Sequence, residues 1–225
     1  MNTREDIFDR LKRECKADWS AYVDHAFVLK LGRATLPEAA FRTYLVQDYL
    51  FLIQFARAYA LALYKSRTLS DMRAAHAGVA AILDVEMDLH VRLCSRWGLT
   101  PDRIEAAPEL QATVAYTRFV LDCGMSGDLL DLHVALAPCV IGYAEIATRL
   151  IAEIQTPLTN HPYREWIGEY AGDAYQAVAQ NAREQLERLA ARSMTAERFP
   201  ELCGIFAKAS RLEADFWQMA LDHPA

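Results

Sequence analysis

Apolar residues recur along this chain at three- and four-residue steps, and no stretch sustains the alternation that marks a half-buried strand. About seven helices follow from that period. The first is expected from about Thr3 to Asp24, with Ile7, Leu11, Trp19 and Tyr22 on its inner face. The second opens at "TLPE", where Thr35 and Glu38 make a capping-box pattern with Pro37 in the first turn, and runs to about Lys65. A third spans Ser70 to Trp97 and stops at Gly98. The fourth starts near Pro108 and ends before "CGMSGD", a glycine-rich turn that launches a fifth, "LHVALAPCVIGYAEIATRLI", Leu132 to Ile151. The sixth begins at "TNHPY" with a weak point at "GEYAGD", and the seventh runs from Thr195 to about Asp222. Long helices with short turns predict an all-α bundle. No repeat or Pro/Gly/Ser linker divides the chain, so residues 1–225 are expected to form a single domain.

The polar residues that interrupt the apolar stripes carry the chemistry. In the second helix the stripe Phe41, Tyr44, Leu45, Phe51, Leu52, Phe55, Tyr59 contains Asp48. A carboxylate facing inward must be hydrogen-bonded or protonated, because desolvating an unpaired charge costs several kcal/mol or forces a large pKa shift. Such an aspartate is either structural, bonded to a tyrosine or arginine of a neighbouring helix, or functional. In the last helix Leu202, Ile205, Phe206, Ala209 and Leu212 lead into Glu213, which lies inward or at the edge. In the third helix Glu86 and His90 stand four apart on one face, a spacing that suits an internal Glu–His hydrogen bond or two metal ligands. A carboxylate-bridged dimetal centre wants ligands from four helices, and only one such pair is present.

Composition narrows the field. A hydrophobic content of 53% over 225 residues supports a sizeable core, and nine glycines with eight prolines favour helix over sheet. The net charge is −6 with acids and bases interspersed, which offers neither a nucleic-acid nor an anionic-membrane surface. The N-terminus, "MNTREDIFDRLKREC", is too charged for a secretory signal, and no window approaches 18 uninterrupted apolar residues. A cytoplasmic protein is expected. The five cysteines are odd in number, widely spaced and without a C-x-x-C pair, so they are expected as reduced thiols.

One thiol has a distinctive context. Cys139 follows Pro138 inside an apolar helix, shares a face with Tyr143 and Ile146, and has Gly142 one turn along. The proline either kinks the helix and frees the carbonyl near Val134, or restarts it and leaves Cys139 at a positive helix N-terminus. Inert packing is the bland alternative.

Taken together, "FRTYLVQDYLFLIQFARAYA", "EMDLH", Ala115 to Thr117, "ALAPCVIGYAEIATRL", "YREWIGEYAGDAY" and "RLEADFWQMA" resemble the TenA family, the thiaminase II or aminopyrimidine aminohydrolases. The resemblance runs in order over nearly the whole chain. It implies a haem-oxygenase-like all-α fold, a hydrolase without cofactor or metal, and usually a homotetramer. By the same resemblance Cys139 matches the nucleophile and Glu213, in Glu-x-x-Phe-Trp, the acid/base partner. Asp48 of the Gln-Asp pair matches the residue that holds the aminopyrimidine edge, Phe51 the aromatic that stacks on the ring, and Tyr116, Tyr143 and Tyr163 the tyrosines lining the pocket.

The implied reaction converts an aminomethylpyrimidine, or thiamin, to hydroxymethylpyrimidine in thiamin salvage. Three positions depart from the family pattern: Ala137 where a leucine is common, no aromatic two residues after Cys139, and "HAF" at His25 to Phe27 in place of His-Pro-Phe. These touch substrate preference more than chemistry, and a small residue at Gly142 or Ile141 is expected to widen the pocket. Two other classes compete. One is a metal-dependent or haem-handling oxidoreductase using Glu86 with His90, or His25; the other is a pyrimidine-binding protein without turnover.

Overall fold

The computed structural model describes residues 5–154 and 157–224, with the Leu89 side chain left aside. The expected start of the first helix at Thr3 therefore lies outside the described residues. Helix is the only regular structure among them. Two helices form where one was expected, α1 (Ile7–Glu14) and α2 (Lys16–Val23), and a further one, α3 (Ala26–Gly32), follows where none was expected. Asp6 caps α1 by accepting from Asp9 N at 2.8 Å, and the chain turns out of helix at Cys15 and again at Asp24. His25 then caps α3, its Nδ1 accepting from Phe27 N at 3.2 Å. That cap occupies one ring nitrogen of the histidine considered as a haem or metal ligand.

The long helix α4 (Glu38–Lys65) begins without the capping box. Thr35 Oγ1 instead donates to Lys30 O at 3.4 Å, because the chain leaves α3 through a tight turn before α4 starts. The expected third helix forms as one continuous helical run, α5 (Leu69–Ala80) passing through a π-helical segment, Ala81–Glu86, into α6 (Met87–Arg96), with Gly98 at φ 78° closing it. A short α7 (Pro101–Glu105) was not anticipated. The next, α8 (Gln111–Ser126), continues through "CGMS" where an earlier end was expected. Lys65 explains that extension, since its ammonium donates to the last carbonyls of α8, Gly124 O at 2.5 Å and Met125 O at 3.4 Å, and to Gly127 O.

Asp128 launches α9 (Leu129–Glu153), its Oδ1 accepting from Leu130 N and Asp131 N. This helix passes Pro138 without a break. By length and composition it is apolar enough to cross a membrane, but most of it is buried inside the chain, as in the core helix of a folded bundle. After a 3₁₀ turn at Leu158–Asn160 come α10 (Arg164–Ala171) and α11 (Asp173–Ser193), separated at Gly172, and finally α12 (Phe199–Asp222).

The chain groups into two compact units, each assembled from separated segments: a first of Met1–Thr35 with His133–Ala214, and a second of Leu36–Leu132 with Asp215–Ala225. In the first unit Phe8, Trp19 and Phe206 form a ring cluster at centroid distances of 5.4–5.7 Å that locks α1 and α2 to α12. Each such pair is worth about 0.5–1.5 kcal/mol beyond its buried area. Arg183 of α11 fastens the start of α1, bonding Asp6 at 2.6 Å and Asp9 at 2.7 Å. In the second unit Phe41 meets Trp97 at 4.9 Å and Tyr44 meets Trp217 at 5.3 Å, joining α4 to the end of α6 and of α12.

Candidate active site

Asp48 is buried on α4 as the stripe requires, and it is partnered. Tyr44, one turn earlier on the same helix, donates its hydroxyl to Asp48 Oδ2 at 3.0 Å. From α6, His90 places Nδ1 3.4 Å from the same oxygen while Nε2 donates to Leu45 O at 2.7 Å. Burial pushes the Asp48 carboxyl above its ordinary value, and the His90 charge and the Tyr44 hydrogen bond pull it partly back. Both His90 nitrogens are thus committed, so the Glu86–His90 pairing drawn from their spacing is replaced by His90–Asp48. Among the described residues no three His, Cys, Asp or Glu groups are placed to hold one metal ion.

One turn beyond Asp48, Phe51 packs against Tyr116 of α8 at 5.1 Å and against Phe216 at 5.7 Å. The sequence did not single out the residue that sets this contact. Gln47 is buried, donates to Pro108 O at 3.0 Å, and accepts from Leu110 N at 2.9 Å and Thr113 Oγ1 at 2.6 Å. The N-cap position of α8, Leu110, has no side-chain cap of its own, so a glutamine from α4 supplies one.

In the first unit Cys139 is half-buried in the interior of α9. Because the helix does not restart at Pro138, Cys139 is not at a helix N-terminus, and that route to an activated thiol is absent. Tyr22, also unanticipated in this role, donates its hydroxyl to Pro138 O at 3.2 Å. Its ring fills the space over Gly142: a Cβ there would lie 2.5 Å from Tyr22 Cε1. The expectation that Gly142 widens a substrate pocket is therefore corrected, since the volume belongs to Tyr22, and Ile141 is itself buried.

Tyr143, one turn after Cys139, is buried among Tyr170 at 4.9 Å and Trp166 at 5.8 Å of α10. Tyr163 is buried just before α10, its backbone N–H donating to His161 Nδ1 at 3.2 Å. Glu213 is 1% exposed on α12, which settles its orientation as inward. The second unit thus holds Asp48, Phe51 and Tyr116, with Phe51 and Tyr116 in ring contact, and the first holds Cys139, Tyr143, Tyr163 and Glu213. A cavity of about 490 Å³ in the first unit, walled by Leu29, Arg33, Leu150, Glu153 and His161, contains none of these residues. His161 is taken on both sides there, by Gly32 O and Tyr163 N.

Comparison with known proteins adds relatives to this geometry. The family model described as TENA/THI-4/PQQC matches residues 13–223. An uncharacterized protein of Haemophilus influenzae is 38% identical over 216 residues, 96% of this chain and 99% of that protein. The aminopyrimidine aminohydrolase of Halalkalibacterium halodurans is 36% identical over 203 residues, 90% of this chain and 89% of that enzyme. Among solved structures, a protein of Silicibacter sp. TM1040 described as a TenA family transcription regulator superposes with a TM-score of 0.90 at 46% identity, covering 95% of this chain and 96% of that one. A Shewanella denitrificans domain described as having a heme oxygenase-like fold superposes with a TM-score of 0.73 at 13% identity over 96% and 92% of the two chains. The all-α fold of this chain is accordingly haem-oxygenase-like.

Proposed function

This chain belongs to the TENA/THI-4/PQQC family, and on that premise we propose that it hydrolyses 5-substituted 4-amino-2-methylpyrimidines in thiamin salvage. The observation that carries the reading is the Asp48 arrangement. A buried carboxylate, fixed by Tyr44 and His90 and one turn from the Phe51–Tyr116 ring pair, presents an acceptor beside a stacking surface. An aminopyrimidine offers the complement: an amine and a protonated ring nitrogen on one edge, and an aromatic face. The activity named for the Halalkalibacterium halodurans relative supports the same substrate class.

In the proposed reaction, accepting those two N–H groups draws electron density from the ring and makes C6 electrophilic. The Cys139 thiolate adds to C6, and Glu213 passes a proton to the group leaving the exocyclic methylene, ammonia from an aminomethylpyrimidine or thiazole from thiamin. Water adds to that methylene, the thiol is expelled, and hydroxymethylpyrimidine is released. Phe51, Tyr116, Tyr143 and Tyr163 orient the ring. No cofactor or metal enters these steps.

We place the reaction in the cytoplasm, in keeping with five cysteines that are thiols rather than disulfides, and the chain in a homotetramer. Exposed apolar side chains of the second unit, Tyr64, Leu69, Leu83, Val85 and Met125, support self-association. A second reading, pyrimidine binding without turnover, is favoured by the regulator described in Silicibacter. One assay separates the two: ammonia release from 4-amino-5-aminomethyl-2-methylpyrimidine, with thiamin run in parallel. Hydrolysis is expected in the native protein and nearly abolished in Cys139→Ser. Binding without release of either leaving group selects the second reading, and native-level turnover in Cys139→Ser removes the cysteine mechanism.

A further inference from the structure

Two thiols that the proposed reaction does not use meet in the first unit. Cys15 occupies the break between α1 and α2, with φ −105° and ψ 29°, and its Sγ lies 3.4 Å from Cys203 O of α12. Each thiol also shifts the titration of the other, Cys203 raising Cys15 and Cys15 lowering Cys203. Packing that does not need the sulfurs holds them there: Phe8 and Trp19 against Phe206, and the Arg10 guanidinium 4.4 Å over the Phe199 ring. Cys15 is buried and Cys203 half-exposed, so a solute reaches Cys203 first.

We propose that Cys15 and Cys203 form a reversible redox-modification site, in which a peroxide oxidises Cys203 and Cys15 then closes a disulfide. The Cys203 thiolate attacks one peroxide oxygen, forming an S–O bond as the O–O bond breaks, and the departing hydroxide takes a proton to become water. Sulfur is oxidised to sulfenic acid and the peroxide is reduced. The Cys15 sulfur next attacks the sulfenic sulfur, an S–S bond forms, the S–O bond breaks, and hydroxide leaves with the Cys15 proton as a second water. Two thiols and one hydrogen peroxide thus give one disulfide and two waters, and a small thiol reverses the bond by exchange.

The surroundings divide the roles. Burial, first, then the neighbouring Cys203, Asp18 and Glu14 push Cys15 up to about 12, which keeps it protonated. Cys203 is raised by its own burial and by Glu14, while Cys15 and the charge of Arg10 favour its thiolate. The exposed thiol is therefore also the better nucleophile at the start, and the buried one is positioned to resolve. The bond would fasten α12, the helix that carries Glu213, to the α1–α2 break across 188 residues of sequence.

The site is independent of the proposed function and is read without an activity assay. The native protein is treated with a large molar excess of hydrogen peroxide at pH 8, alkylated, and digested with trypsin without reduction. A disulfide-linked pair of Glu14–Lys16 with Phe199–Lys208 is expected, disappearing on reduction. With dimedone present, Cys15→Ser should carry the adduct on Cys203, and Cys203→Ser should leave Cys15 free to alkylate. Recovery of both native peptides as alkylated thiols overturns the proposal, and so does a dimedone adduct on Cys15 in Cys203→Ser.

Discussion

Asp48 Oδ2 and His90 Nδ1 stand 3.4 Å apart with both side chains buried, and the other nitrogen of that ring is fixed to α4 as well, donating to Leu45 O at 2.7 Å. Since a carbonyl only accepts, Nε2 carries a proton, and the ring cannot turn without breaking a buried bond. His90 is therefore a strut along α4 that keeps Nδ1 on the aspartate. Tyr44 holds the same oxygen from one turn earlier, so the carboxylate is aimed from two directions.

Asp48→Asn should raise thermal stability near neutral pH while weakening binding of an aminopyrimidine. Burial is the largest influence on Asp48 and lifts it above its ordinary 3.8. Between that value and the raised one the folded state binds more protons than the unfolded state, so this group's contribution to stability falls as pH rises. Well above the window the native protein holds a desolvated charge that asparagine lacks; below 3.8 both residues are neutral in both states. The gain in Tm should shrink toward zero as pH falls through the window, measured by thermal melts of both proteins from pH 3 to 8. A difference that does not vary with pH refutes the burial argument. The lost charged hydrogen bonds to substrate should cost roughly 1.5–3 kcal/mol in kcat/KM.

Gln47→Leu should both destabilise the protein and raise KM. Leucine keeps the volume but leaves Pro108 O, Leu110 N and Thr113 Oγ1 without their shared partner. Each group shielded from water costs roughly 1–3 kcal/mol when orphaned, and for a chain of this size each kcal/mol lowers Tm by about 2–4 °C. The start of α8 then loosens, and Tyr116, two turns in, loses its fixed distance to Phe51. Gln47→Glu keeps the two accepting contacts and should cost less. Equal melting temperatures for Gln47→Leu and the native protein would show that α8 does not depend on this clamp.

The helical period located the inward carboxylates because burial of a stripe is a local property of spacing: Asp48 and Glu213 are buried where their neighbours predicted. It also put His90 on an inward face. What it missed was the partner, since Glu86 is close in sequence while Asp48 comes from another helix, and spacing reports only same-helix neighbours. Gln47 and Tyr22 were invisible for the same reason, as their roles exist only once α4 meets the α8 start and α2 meets α9. The break at Cys15 and the π-helical segment Ala81–Glu86 also escaped, because no glycine or proline marks them. The roles proposed for Cys139 and Glu213 came from family resemblance rather than from spacing.

Ala34→Gly should stabilise the fold. Ala34 has φ 56°, the left-handed region, where it ends α3: Thr35 N returns to Lys30 O at 2.9 Å and Ala34 N to Leu31 O at 3.0 Å. A Cβ in that conformation costs about 1–2 kcal/mol, while glycine adds a somewhat smaller unfolded-chain entropy, about 0.5–1 kcal/mol. The strain term is the larger, so the urea midpoint should rise modestly with an unchanged slope. A lower midpoint would mean that entropy outweighs strain at this turn.

Gly142→Ala decides what the glycine beside the Pro138–Cys139 step is for. In the middle of an exposed helix this change would help by about 1 kcal/mol. Here the new Cβ would lie 2.5 Å from Tyr22 Cε1 and 2.7 Å from its hydroxyl, and Tyr22 is fully buried. Overpacking a filled core costs roughly 1–3 kcal/mol, and moving the ring also breaks its bond to Pro138 O. The cost exceeds the propensity gain, so Tm should fall. Because Pro138 O belongs to the residue just before Cys139, displacement of Tyr22 should also lower turnover more than a surface change of equal stability cost, such as a truncated rim contact. Were Gly142→Ala to melt higher than the native protein with full activity, Tyr22 would have to be free to retreat, and the glycine would be room for substrate after all.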